Sequence, residues 1–150
     1  MPTESAQKIH RTSVGALLGQ AGDNDCRAIL ALLDKVKREA DLPTRQALVA
    51  TGVEFSGLLV LPSGAVYCVV SGRVDAQGFG VSEDGDLGVW PAATIGGYAA
   101  VGSGSEAALA AMDAGASAIK AVEIACKRNV YCRPPVHAVR LRPARSSGSR

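Results

Sequence analysis

Tyr98-Ala99-Ala100-Val101-Gly102-Ser103-Gly104-Ser105-Glu106-Ala107-Ala108-Leu109-Ala110-Ala111-Met112-Asp113-Ala114-Gly115 is the stretch on which the fold turns. A short apolar run, Tyr98 to Val101, enters a Gly-Ser-Gly turn, and an alanine-rich segment leaves it and stops at Gly115. That order predicts a strand, a tight turn, a helix and a glycine cap. Gly102 and Gly104 accept backbone angles closed to other residues and let a second chain or a ligand come close. Ser103 or Ser105 is expected to cap the helix, leaving a hydroxyl beside free N–H groups at the positive end of the dipole. A serine held there is either a cap or part of a site. A phosphate cradle is the weaker reading, because the Gly-Lys-Ser/Thr of a P-loop and the third glycine of a dinucleotide fingerprint are both missing.

Working outward, 150 residues suit one domain with a real core. Apolar residues make up 47% and aromatics only 4%, with 17 glycines, so the core has to be built from small aliphatic side chains. The formal net charge of +2 is too small to argue for a nucleic-acid partner. No apolar run reaches membrane-span length, and Met1 to His10 lacks the apolar region of a signal peptide. Four dispersed cysteines, Cys26, Cys68, Cys126 and Cys132, form no C-x-x-C, which points to a reduced, cytoplasmic protein without disulfides. Cys132 precedes Arg133, a cation that lowers a thiol pKa, but no histidine stands in catalytic relation to it, so an inert thiol is expected. His10 and His137 lack carboxylates at ligand spacing, so neither a metal nor another cofactor is expected.

Lys8-Ile9-His10-Arg11 and Ser13 to Gly19 predict two adjacent strands or a hairpin. Cys26, Ile29, Leu30, Leu33 and Val36 fall on one face of a helix expected over Asp25 to Ala40, after good N-cap residues. Pro43 separates it from a shorter helix, Thr44 to Ala50. Gly57 to Leu61 and Ala65 to Val70 flank Pro62-Ser63-Gly64, a strong hairpin pattern. Ser71 to Trp90 reads as a loop carrying a short strand or two. Ser117 starts a helix to about Lys127, with Ile119, Val122 and Cys126 on one side and Ala118, Ala121 and Ala125 letting neighbours approach. Val136 to Arg142 predicts a last strand with Val139 and Leu141 on one face. Residues 1–7 are expected to be a flexible terminus and 143–150 a disordered basic tail, leaving 8–142 as the domain. Strands and helices thus come in pairs, which favours an α+β protein with an antiparallel sheet covered by helix pairs over a doubly wound sheet.

In this order the elements resemble proteasome β-type subunits, a branch of the N-terminal-nucleophile hydrolases. The bacterial heat-shock-locus peptidase and phage- or prophage-encoded proteins are nearest in pattern. Four local matches carry the resemblance: Lys8 to Arg11, Leu18 to Asp23, the hairpin Leu58 to Val70, and Ala100 through Ala125 followed by Val130-Tyr131 and Pro135-Val136. Together they span Lys8 to Leu141.

The resemblance implies an αββα four-layer sandwich, two antiparallel sheets between helix pairs, N-terminally shortened here. It also implies a threonine-type peptidase, with the hydroxyl of a mature-chain N-terminal threonine or serine attacking the peptide carbonyl. Lys8 would be the lysine assisting that nucleophile, and Ser103 the turn serine supporting its amine. Backbone N–H groups around Gly102 and Gly104 would hold the oxyanion. A ring-shaped homo-oligomer, an ATPase unfoldase and a peptide or unfolded-protein substrate are the partners it implies.

Only seven residues precede Lys8, and the nucleophile strand pair with its aspartate has no counterpart in them. Where the family often has an acidic and a small hydroxyl residue, this chain has Lys127, Arg128 and Asn129. Three explanations stand side by side: an upstream nucleophile segment, a non-catalytic assembly protein of the same fold, and strands supplied by another chain. A small-ligand binder using the glycine turn is a further alternative.

Overall fold

A computed structural model describes residues 8–22, 24–74, 80–81, 87–92, 96–129, 132 and 136–142. The chain begins with β1 (Ile9–Arg11) and β2 (Leu17–Ala21), joined by a loop in which the Thr12 hydroxyl accepts the Ala16 N–H at 3.0 Å. Helix α1 (Arg27–Leu33), a 3-10 turn (Glu39–Asp41) and helix α2 (Arg45–Val49) come next. Strands β3 (Phe55–Val60) and β4 (Val66–Ser71) form the central hairpin. The short strands β5 (Arg73–Val74) and β6 (Gly80–Val81) pair with each other, and β7 (Gly88–Pro91) returns to the main sheet. Helices α3 (Ser105–Asp113) and α4 (Ala118–Arg128) follow. The main sheet is five-stranded and antiparallel throughout, in the order β1-β2-β3-β4-β7.

Register decides which residues become core. Leu18 lies opposite Leu59, and Leu59 opposite Tyr67, so the three form a row across one face of the sheet. Phe55 and Val69 share that face, since side chains alternate along a strand. Helices α1 and α2 cover it with Ile29, Leu33 and Leu48, each fully buried. Burying a side chain of that size contributes about 2 kcal/mol. Gly57 belongs to the same face, and a Cβ there would stand 2.7 Å from the Phe55 ring, so the bare glycine makes room for it.

Hydrogen bonds fasten the helices to the sheet. The buried Ser71 hydroxyl donates to the Leu48 carbonyl at 3.1 Å, tying the end of α2 to β4. Asp34, just past α1, accepts the Ser13 N–H at 2.9 Å and its hydroxyl at 2.5 Å, clamping the β1–β2 loop to the helix.

The other face of the sheet carries Leu58, Val60, Val66, Cys68 and Trp90, all half-buried. Helices α3 and α4 form a hairpin that packs through Ala108, Ala121 and Ala125, a cluster separate from the one beneath α1 and α2. Gly115, at φ +100°, follows α3 in a conformation that favours glycine. The Ser117 hydroxyl then caps α4 by accepting the Lys120 N–H at 3.1 Å.

Several expectations are corrected. Tyr98 to Val101 is irregular, tied instead by the Tyr98 hydroxyl donating to the Asp113 carboxylate. The helix expected over Asp25 to Ala40 ends at Leu33, although its apolar face is buried as its spacing required. The first hairpin forms, but its second strand is Leu17–Ala21, because Ser13 to Gly15 make the turn. Val136 to Arg142 is no strand; its Arg140 carbonyl accepts from the Arg11 guanidinium, and Val139 is exposed. On α4 the alanine side is the buried one, while Ile119 and Val122 are 48% and 42% exposed. Small side chains let α3 approach closely enough to take up that side. The expectations for residues 1–7 and 143–150 lie outside the described residues.

Candidate functional site

The turn before α3 is shaped by one left-handed glycine and three close approaches. Gly102 sits at φ +97°, which a side chain would strain, and a Cβ there would lie 3.2 Å from the Ala21 methyl at the end of β2. Its carbonyl accepts the Ser105 N–H at 3.1 Å, closing the turn. Gly104 occupies the N-cap position of α3 and has no side chain to cap with, so the serine cap expected from the sequence is not made. Room is what Gly104 provides instead. A Cβ on it would stand 2.6 Å from the Cys132 sulfur and 3.1 Å from the Ala125 methyl.

Ser103 is exposed at the tip of the turn. Its carbonyl accepts a 2.8 Å hydrogen bond from the Asn129 side-chain amide, which follows the last turn of α4. Its Oγ lies 3.9 Å from Cys132 Sγ. The turn is therefore held from behind by α4 and the residues after it, not by a local cap.

A cavity of about 370 Å³ opens in front of this turn. Lys8, Ala21 and Gly22 line one side, and Gly102, Ser103 and Gly104 line another. The floor is apolar, with Ala108 and Met112 from α3 and Ala121, Val122 and Cys126 from α4. The four residues singled out from the sequence, Lys8, Gly102, Ser103 and Gly104, thus line one cavity although more than 90 residues separate Lys8 from the turn. Chemically the arrangement offers an amine, a hydroxyl and the N-terminal end of a helix around an apolar hollow, a setting that receives a polarised carbonyl or carboxylate attached to an apolar body.

Sequence reasoning missed Asn129 and Cys132 as parts of this site. The position of Asn129 at the end of a helix gave a signal for a cap, yet its side chain reaches across to another element. A second pairing was also missed: Cys26 Sγ lies 3.7 Å from His10 Nε2. Cys26 belongs to the main core, 6% exposed, and burial pushes its thiol up, so it has neither the access nor the charge of a nucleophile. Burial likewise pushes the Cys68 thiol up.

Among the described residues, no group of three or more His, Cys, Asp or Glu is placed to hold a metal ion. No helix among them is long and apolar enough to cross a membrane. Compared with family models, curated proteins and solved structures, the chain finds no match.

Proposed function

We propose that this chain is a proteasome-like subunit of the N-terminal-nucleophile type, and that the cavity before α3 is its peptide site. The observation that supports this reading is the meeting of Lys8 with the Gly102-Ser103-Gly104 turn at a single cavity. In such a site a threonine or serine beginning a mature chain attacks the peptide carbonyl, and its proton passes to its own amine. Lys8, as a cation, would disfavour a charged amine beside it and so keep that amine neutral and ready to take the proton. The N–H groups at the start of α3 would stabilise the oxyanion, and Ser103 would hold the amine in place. The nucleophile would come from a segment preceding Lys8, on strands that pack as the second sheet of the sandwich. Among the described residues the only second sheet is the two-stranded β5–β6 pair.

A non-catalytic assembly subunit of the same fold is the second reading. Ile119 and Val122, exposed side by side on α4, favour it as a contact surface between copies.

One experiment separates the two. The chain, with whatever coding sequence lies upstream, is incubated with a threonine-directed covalent inhibitor and weighed intact, while size-exclusion chromatography with light scattering reads the oligomer. An adduct on a threonine or serine supports the peptidase. A ring without an adduct supports the assembly subunit. A monomer without an adduct sinks both.

A further inference from the structure

The irregular segment Tyr98 to Val101 runs between glycines held at left-handed backbone angles. Gly96 and Gly97, at φ +83° and +85°, precede it, and Gly102, at φ +97°, follows. The Tyr98 hydroxyl ties it to the last residue of α3 by donating to the Asp113 carboxylate, and the glycine turn joins it to the first. Extended chain from Tyr98 to Gly102 covers about 14 Å. Helix α3 rises about 12 Å from Ser105 to Asp113. The segment is therefore a strap laid along the helix, and its Ala99, Ala100 and Val101 line the cavity. Among the described residues no hydrogen bond reaches these three, and Ala100 packs a methyl group against the α3–α4 cluster. One wall of the cavity is thus held chiefly by the Tyr98–Asp113 bond. The carboxylate pushes the Tyr98 phenol up, which keeps it protonated and donating.

We propose that this strap is a gate, latched by the Tyr98–Asp113 bond, and that its release swings Ala99 to Val101 away from the cavity about the flanking glycines. Those glycines serve the closed form in different ways. A Cβ on Gly97 would meet nothing within 4 Å, so the backbone angle alone calls for glycine there. A Cβ on Gly96 would stand 2.7 Å from the Tyr98 ring, so the bare residue lets the ring lie beside the hinge. The latch itself lies at the surface, where water competes for both partners. It can open without unpairing a strand of the main sheet or unwinding α3, since the strap belongs to neither. With the strap displaced, the turn at Gly102-Ser103-Gly104 and the apolar floor lie open to a ligand broader than the closed cavity, such as an extended peptide.

Gating requires the cavity and no peptidase chemistry, so its test stands apart from the preceding reading. Access is followed at Cys126, which lines the cavity, with Cys68 in the main sheet as the internal control. The folded, reduced chain is treated with the bulky reagent N-(1-pyrenyl)maleimide, and the rate at each thiol is taken by peptide mapping. Tyr98→Phe should speed Cys126 about fivefold over the parent, the effect of one net hydrogen bond on a local opening, and leave Cys68 unchanged. Asp113→Ala should do the same, and combined with Tyr98→Phe it should add nothing further. Asp113→Asn, which keeps an acceptor oxygen, should stay near the parent. Iodoacetamide, a much smaller reagent, should gain less from either variant than the pyrenyl reagent does. A Cys126 rate indifferent to both Tyr98→Phe and Asp113→Ala would overturn the proposal. So would effects that simply add, equal gains for the two reagents, or a rise at Cys68 to match, which marks general loosening in place of a gate.

Discussion

At the scale of single residues, Asp34 shows how one carboxylate joins two elements. It accepts both the hydroxyl and the backbone N–H of Ser13, with Lys35 alongside, and these hold its carboxyl below the ordinary aspartate value of 3.8. A depressed folded-state pKa means that the stabilisation is fully present above that ordinary value. It is lost as pH falls through the lowered one. Asp41, held down by the N–H groups of Lys37 and Arg38, and Asp25, held down by Arg27, act in the same direction. Urea unfolding should therefore show Asp34→Asn destabilised against the parent at neutral pH. The gap should close as pH falls below the aspartate range, and a gap that widened in acid would contradict the assignment. Because Asp34 titrates in contact with solvent, the effect should also weaken in high salt.

At the scale of elements, helix ends separate what the sequence made legible from what it did not. Ser117 was readable as a helix start and is one: its hydroxyl takes the Lys120 N–H. Ser117→Ala should cost about 1 kcal/mol of stability, seen as a lower urea midpoint with unchanged slope. Ser103 and Ser105 were read by the same rule, and there it failed. The chain places Gly104 at the cap because the Cys132 sulfur and the Ala125 methyl already fill the space a side chain would need. A local rule cannot see a neighbour that arrives from the next helix. The same limit explains α4. Its pattern offered two candidate faces, and tertiary packing chose the alanines over Ile119 and Val122, because α3 is itself lined with small residues. The β3–β4 hairpin and the α1 face were legible because one strong period fixed each of them without help from distant parts. For the site, Lys8 and the turn were readable as separate motifs, whereas Asn129 and Cys132 gained meaning only through folding.

At the scale of the molecule, two apolar clusters of unequal strength stand side by side. The one between the sheet and α1–α2 is made of leucines, isoleucine, valines and aromatics, while the one inside the α3–α4 hairpin is made largely of alanines. An alanine has little side chain to remove from water, so the hairpin gains less per residue. Native-state hydrogen exchange should find amides of β3 and β4 protected to nearly the full unfolding free energy. Those of α3 and α4 should open at a lower one, and equal protection would show a single cooperative unit. The main sheet also has two ends. β1 is three residues long, with His10 and Arg11 in it, and the Arg11 guanidinium is engaged by the Arg140 carbonyl. β7 finishes at Pro91, which has no N–H to offer a further strand. Both rims are thus poor templates for a strand arriving from another molecule. Concentrated solutions of this protein should accordingly resist cross-β fibrils that grow from the native fold, and any larger assembly would have to be built through faces of the molecule.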